Sequence, residues 1–179
     1  FTKNKTAANK AIARTEPFGI KANGTLIIDK SAVVTDYLIN KNVVDVIGDG
    51  DYNDNEIDLT VKRGFGVAGR PSGETPNGTA HTAVMNITNG AYVQIGDENG
   101  MGIGHYDADE GKGVDGKGIL NITDSKFEST QYLDVRTHGT VNVTNGELVV
   151  AGNLNNAGAL TITDSEVNIG GIWSNVDGS

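Results

Sequence analysis

The sequence predicts an all-β fold, a parallel β-solenoid of about 20 residues per coil carrying inserted loops. Three features point there. Glycine supplies 25 of the 179 residues while Val, Ile and Leu recur in short alternating runs, a pairing typical of many brief strands separated by turns. Helix-forming stretches are nearly absent. Above all, one six-residue pattern returns at a nearly fixed interval.

The pattern is clearest in Met85-Asn-Ile-Thr-Asn-Gly90, Leu120-Asn-Ile-Thr-Asp-Ser125, Val141-Asn-Val-Thr-Asn-Gly146 and Leu160-Thr-Ile-Thr-Asp-Ser165, with a looser copy at Leu26-Ile-Ile-Asp-Lys-Ser31. Its start alternates with period two, so Leu120/Ile122, Val141/Val143 and Leu160/Ile162 face one way while Asn121, Thr123, Asn142 and Thr144 face the other. Asn or Asp followed by Gly or Ser then supplies a bend, because these residues tolerate left-handed or side-chain-bonded turns. Leu120 to Val141 is 21 residues and Val141 to Leu160 is 19. Within each unit a second apolar site follows at Phe127, Leu148 and Val167, and a third at Leu133/Val135, Leu154 and Ile172. Three short strands per unit, each with one inward face, describe a triangular coil. Strands of successive coils then stack at the interstrand spacing of about 4.8 Å. An antiparallel sandwich is the rival, but its strands are longer and do not repeat at one fixed length.

Two stretches break the period. Met85 to Leu120 spans 35 residues, with the excess at Gly96–Gly118, and Arg63–Ala80, rich in Gly and Pro, reads as a projecting loop. Before Met85 the register is loose, with Ile57/Leu59 as a possible coil start. On a solenoid, insertions emerge as loops on one face, often the binding face. Residues 1–23 read as an N-terminal capping segment, with a short helix at Thr6–Arg14 covering the first coil near Leu26–Ile28, and residues 24–179 as the stacked domain. The absence of a matching C-terminal cap predicts that the natural protein continues past Ser179, and a start at Phe1 reads as a processed or excised piece.

The chain holds no cysteine, which excludes a disulfide framework and a Cys-ligated zinc site. Net charge is −9; Lys3, Lys5, Lys10, Arg14 and Lys21 against Glu16 leave +4 in residues 1–21 and therefore −13 in the remainder. An acidic body argues against nucleic acid or anionic lipid as the main partner. No apolar run approaches the roughly 18 residues needed to span a membrane, so no membrane insertion by this segment is expected.

Two acidic clusters are candidate sites. Asp49, Asp51, Asn53 and Asn55 place oxygen side chains at alternate positions, as in the first half of a calcium loop. Asp54 stands where an EF-hand needs glycine, however, and Thr60 where it needs a bidentate Glu, so a solvated acidic turn is the alternative. In the long insertion, His105, Tyr106, Asp107, Asp109 and Glu110 form a candidate ligand-binding group, flanked by Asp97, Glu98 and Asp115. Carboxylates in a groove beside a cation would suit a polysaccharide-cutting β-helix enzyme. Here they lie in one Gly-rich loop with nothing to fix their separation. His81, His105 and His138 lack metal-ligand spacing, no nucleophile elbow is present, and Gly100-Met-Gly-Ile-Gly104 lacks a phosphate-loop lysine. No catalytic residue is therefore assigned and no cofactor is expected, calcium excepted. Asn-x-Thr sequons at Asn86, Asn121 and Asn142 sit in the repeat strands and read as outward solenoid residues.

Gly139-Thr-Val-Asn-Val-Thr-Asn-Gly-Glu-Leu-Val-Val-Ala-Gly-Asn-Leu154 and Gly158-Ala-Leu-Thr-Ile-Thr-Asp-Ser165 resemble the passenger domains of bacterial autotransporters, the type V secreted adhesins. The likeness spans about residues 83–176 and carries no binding residues across. It implies a right-handed parallel β-helix at the bacterial surface or secreted. The implied work is non-enzymatic: attachment to a host surface molecule or glycan, or self-association with another copy in aggregates and biofilm. A β-helix enzyme acting on polysaccharide and a purely structural stalk are the competing expectations.

Overall fold

A computed structural model describes residues 12–14, 18–20, 24–68, 82–96, 101–104 and 116–175. The fold is all-β. Every strand pair among the described residues is parallel, and the strands form one six-stranded and one twelve-stranded sheet. The helical content of those residues is a single 3-10 turn, Tyr52–Asp54.

The chain visits the sheets in rotation. The six-stranded sheet takes β3 (Thr25–Asp29), β5 (Val43–Ile47), β7 (Thr82–Thr88), β10 (Lys117–Thr123), β13 (Gly139–Thr144) and β16 (Ala159–Thr163) in that spatial order. After each of the last four, the chain enters one arm of the larger sheet through β8 (Tyr92–Ile95), β11 (Lys126–Ser129), β14 (Glu147–Val150) or β17 (Glu166–Ile169). It then enters the other arm through β9 (Met101–Ile103), β12 (Leu133–Val135), β15 (Leu154–Asn156) or β18 (Trp173–Asn175). In the earlier coils the arms are continuous. β6 (Leu59–Val67) pairs with β8 through Leu59–Val61 and with β9 through Phe65–Val67, and β4 (Val33–Asn40) runs alongside β6.

The expected stacking of the repeats is observed. Leu120, Val141 and Leu160 are in register, as are Ile122, Val143 and Ile162. Leu26/Ile28 and Val44/Val46 extend the same two columns toward the N-terminus, with Met85/Ile87 between. Phe127, Leu148 and Val167 also align. Ile28 through Leu154 form one continuous apolar core in which most side chains are fully buried, each worth roughly 1.5–3 kcal/mol. Phe65 packs on Phe127 across that core with ring centroids 5.9 Å apart. In the final described coil the inward side chains are less covered, and Ile162 is 38% exposed.

Four sequence expectations are corrected. Ile12–Arg14 is a strand, β1, paired with Val33–Thr35, and not the end of a helix over Leu26–Ile28; residues 6–11 lie outside the described set. Ala13, a good helix former, thus gives way to sheet pairing, and β2 (Phe18–Ile20) likewise adds to β4. Arg63–Val67 is not a loop but the second half of β6, with Phe65 and Val67 in the core. The missing coil start is Val43, in β5, whereas Leu59 opens a strand of the larger sheet. In the third column Leu154 pairs with Trp173, and Ile172, one residue earlier, is 69% exposed.

Candidate functional site

The outward side chains of the stacked strands, being in register, form columns running across coils, and these columns hold most of the polar organisation of the molecule. On the six-stranded sheet, Asn86 Nδ2 donates to Asp45 Oδ1 at 2.8 Å, Asn121 Nδ2 to Asn86 Oδ1 at 2.9 Å, and Asn142 Nδ2 to Asn121 Oδ1 at 2.9 Å. All three amides point their donors toward the N-terminal coils, and the chain of bonds ends on a carboxylate. A second ladder on the β12–β15–β18 arm follows the same rule: Asn155 Nδ2 donates to Asp134 Oδ1 at 2.8 Å and Ser174 Oγ to Asn155 Oδ1 at 2.9 Å.

The β8–β11–β14–β17 arm carries a charged network instead. The Tyr92 hydroxyl donates to Glu128, Gln94 Nε2 donates to the other Glu128 oxygen at 3.3 Å, and Lys126 pairs with Glu147 at 3.0 Å. The Lys126 ammonium also lies 5.2 Å from the centroid of the Tyr92 ring, a cation–π contact. Burial raises the Tyr92 phenol well above its ordinary value, and the Glu128 hydrogen bond and charge add to the shift. Asn168 extends the network to Glu166. Sequence reasoning missed this cluster. Its signal was available in the alignment of Tyr92-Val-Gln-Ile95, Lys126-Phe-Glu-Ser129 and Glu147-Leu-Val-Val150, whose alternate residues face outward together.

The bend after each six-stranded-sheet strand forms another column. Asn89, Asp124, Asn145 and Asp164 all take positive φ, between 47 and 57°, as the Asn/Asp positions of the repeat predict. Gly and Ser alternate just after them for a reason visible in the packing. The hydroxyl of buried Ser125 accepts from Ala91 N at 3.2 Å, and Ser165 Oγ from Gly146 N at 3.2 Å. Each serine therefore serves the neighbouring coil that has glycine.

The calcium candidate is an exposed turn. Asp51 caps the 3-10 turn by accepting from Asn53 N at 2.9 Å, Asp54 accepts from Glu56 N at 2.8 Å, and Asn55 closes it with φ of 62°. Asp49, Asp51, Asn53 and Asn55 are all exposed, and among the described residues no three His, Asp or Glu side chains come together around a metal-sized space. Asp58, five residues after Asn53, has a different role: it is fully buried, and its Oδ2 accepts from Tyr92 N at 3.0 Å. Its backbone N–H donates to Tyr92 O and its carbonyl accepts from Val33 N, so this one residue ties three coils together.

His105, Tyr106, Asp107, Asp109 and Glu110 lie outside the described residues, as do Asp97, Glu98 and Asp115. Of the stretch Gly96–Gly118 read as an insertion, Met101–Ile103 is instead β9 of the larger sheet and Lys117–Gly118 open β10. Ile103 is fully buried. Arg136 lies across the same rung, its guanidinium occupying the space that a side chain at Gly102 would fill. No protein-family model, no curated protein and no solved structure matches this chain.

Proposed function

We propose that this chain is a segment of an autotransporter-type passenger, wound as a right-handed parallel β-helix and serving as a non-enzymatic attachment surface on the bacterial exterior. The handedness rests on the rule that crossovers between parallel strands of one sheet are right-handed in about 98% of cases. One observation carries the functional reading: the coils stack in register, so that outward positions line up in columns across coils, Asn86, Asn121 and Asn142 being one of like side chains. Such a surface offers many weak contacts at a fixed repeat, which suits avidity toward a host molecule, a glycan or a second copy better than it suits one concave pocket. Calcium remains part of the proposal through Asp49, Asp51, Asn53 and Asn55, as a ligand of an exposed turn.

The test is to display residues 1–179 on a non-adherent bacterium and measure binding to glycan and matrix-protein arrays, and settling of the culture, with and without calcium. Attachment or settling above the undecorated host supports the reading. Equal behaviour of decorated and bare cells on all three readouts sinks it. Release of reducing ends or unsaturated uronides from polysaccharide would move the protein to the enzyme class.

A further inference from the structure

We propose that the outer face of β7, β10, β13 and β16 in the six-stranded sheet binds ice. The inference stands apart from the adhesion reading, since it concerns one face and one solid and needs no host partner.

The face is a two-dimensional array. Asn86, Asn121 and Asn142 form one column, and Thr88, Thr123 and Thr144 form the next, two residues along each strand. Thr161 and Thr163 continue both columns into β16. Rungs repeat at about 4.8 Å and alternate residues along a strand at roughly 6.6 Å. The rung repeat lies close to the shorter repeat of water oxygens on a prism plane of ice, and the along-strand repeat falls somewhat short of the longer one. The register runs through β7, β10, β13 and β16 without a bulge, in contrast to the shift between Thr35 and Tyr37 in the larger sheet.

Chemistry agrees with spacing. Apart from Lys117 at the start of β10, the outward positions of these four strands are uncharged, and Asp45 on the next strand, β5, bounds the array on one side, in a chain of net charge −9 whose neighbouring arm carries Lys126, Glu128, Glu147 and Glu166. A neutral lattice is the complement of a neutral face. The third outward column, Val84, Ile119, Thr140 and Ala159, is small or aliphatic. Threonine and aliphatic methyl groups order adjacent water, while hydroxyl and amide oxygens anchor it. The ladder bonds hold the Asn amides in one orientation, so the array is pre-organised before contact. The Thr hydroxyls, by contrast, make no hydrogen bond to any described residue and are available to the solid. A crystalline polysaccharide is the other neutral solid with such a repeat. Sugar rings are gripped by stacking on aromatic side chains, and the four strands place none on this face.

The experiment grows ice slowly from a solution of the 179-residue chain, measures the protein captured in it, and records thermal hysteresis in a nanolitre osmometer. A Thr123→Lys/Thr144→Lys variant puts two charges in the centre of the array at half-exposed positions, Thr123→Lys alone puts one there, and Val149→Lys places one such charge on the neighbouring arm as the control for the single variant. The expected result is capture and hysteresis for the parent and for Val149→Lys, and loss of both for the double variant with its far-ultraviolet circular dichroism unchanged. Exclusion of the parent from ice to the same degree as the double variant overturns the proposal. Adsorption of the parent to microcrystalline cellulose without capture by ice overturns it in favour of polysaccharide.

Discussion

Leu120 is enclosed on both sides by its column, between Met85 and Val141, and has no exposed surface. Replacing it with Ala removes the side-chain transfer free energy and leaves a cavity that two neighbouring coils cannot close, a loss of about 2–5 kcal/mol. Leu160 occupies the same column in the last described coil but is only partly buried, with a described rung on one side alone. The same truncation there removes a fraction of the burial and creates no enclosed void, so a loss nearer 1 kcal/mol follows. For a chain of this size each kcal/mol corresponds to roughly 2–4 °C in melting temperature, and Leu120→Ala should melt several degrees below Leu160→Ala. Thermal and urea unfolding followed by far-ultraviolet circular dichroism measure both variants against the parent. Equal losses for the two, or a loss below 1 kcal/mol at Leu120, would refute the placement of the column.

Gly139→Ala drives a methyl into the Ile103 carbonyl at the corner entering β13, and should cost about 1–3 kcal/mol in the same unfolding assay. Asn121→Asp turns the donor facing Asn86 Oδ1 into an acceptor, and Asn86 cannot flip to relieve it without setting its own oxygen against Asp45. It should therefore destabilise more than Asn121→Ala, which costs about 0.5–1.5 kcal/mol; the reverse order in urea titrations counts against the ladder. Tyr92, whose folded value lies above its ordinary 10.0, should stay protonated in an ultraviolet titration when exposed tyrosines ionise, and Glu128→Gln should bring it down. Because the folded value is the raised one, the stability tied to this proton is present below pH 10 and is lost as pH climbs beyond it.

The second half of the chain was legible because each strand there repeats the same order of apolar, polar, turn. β13 and β16 could be aligned from Val141-Asn-Val-Thr-Asn and Leu160-Thr-Ile-Thr-Asp alone. β5 was not, because Val43-Val-Asp-Val-Ile47 ends in Ile-Gly-Asp rather than Thr-Asn-Gly. β6 was hidden by Lys62, Arg63 and two glycines, which resemble a loop. In the structure the register shifts there, with two residues of β6 opposite Asp36 alone, and Gly64 makes room for the Tyr37 ring. The charged network of Tyr92, Lys126 and Glu128 escaped notice because Tyr92 lies 34 and 36 residues from the other two and meets them only through pairing across coils. Asp58 stands two residues after the acidic run that ends at Glu56, and nothing local marks it as buried, because burial is a property of the stack, which a local reading of charge does not carry.

Both ladders of amide and hydroxyl groups donate in one direction and stop at Asp45 and at Asp134. The long axis therefore has a sense, as a filament has unlike ends. A strand laid against the β13 side of the first ladder meets an Asn142 carbonyl oxygen ready to accept. A strand on the opposite side meets a carboxylate that has nothing to give. Coils should consequently zip up more readily in one order of addition than in the other, and an inserted coil with its polar column reversed would face acceptor against acceptor at one of its two seams. Templated growth along such an axis is vectorial: each finished layer presents the next with a bonding pattern that only one orientation satisfies.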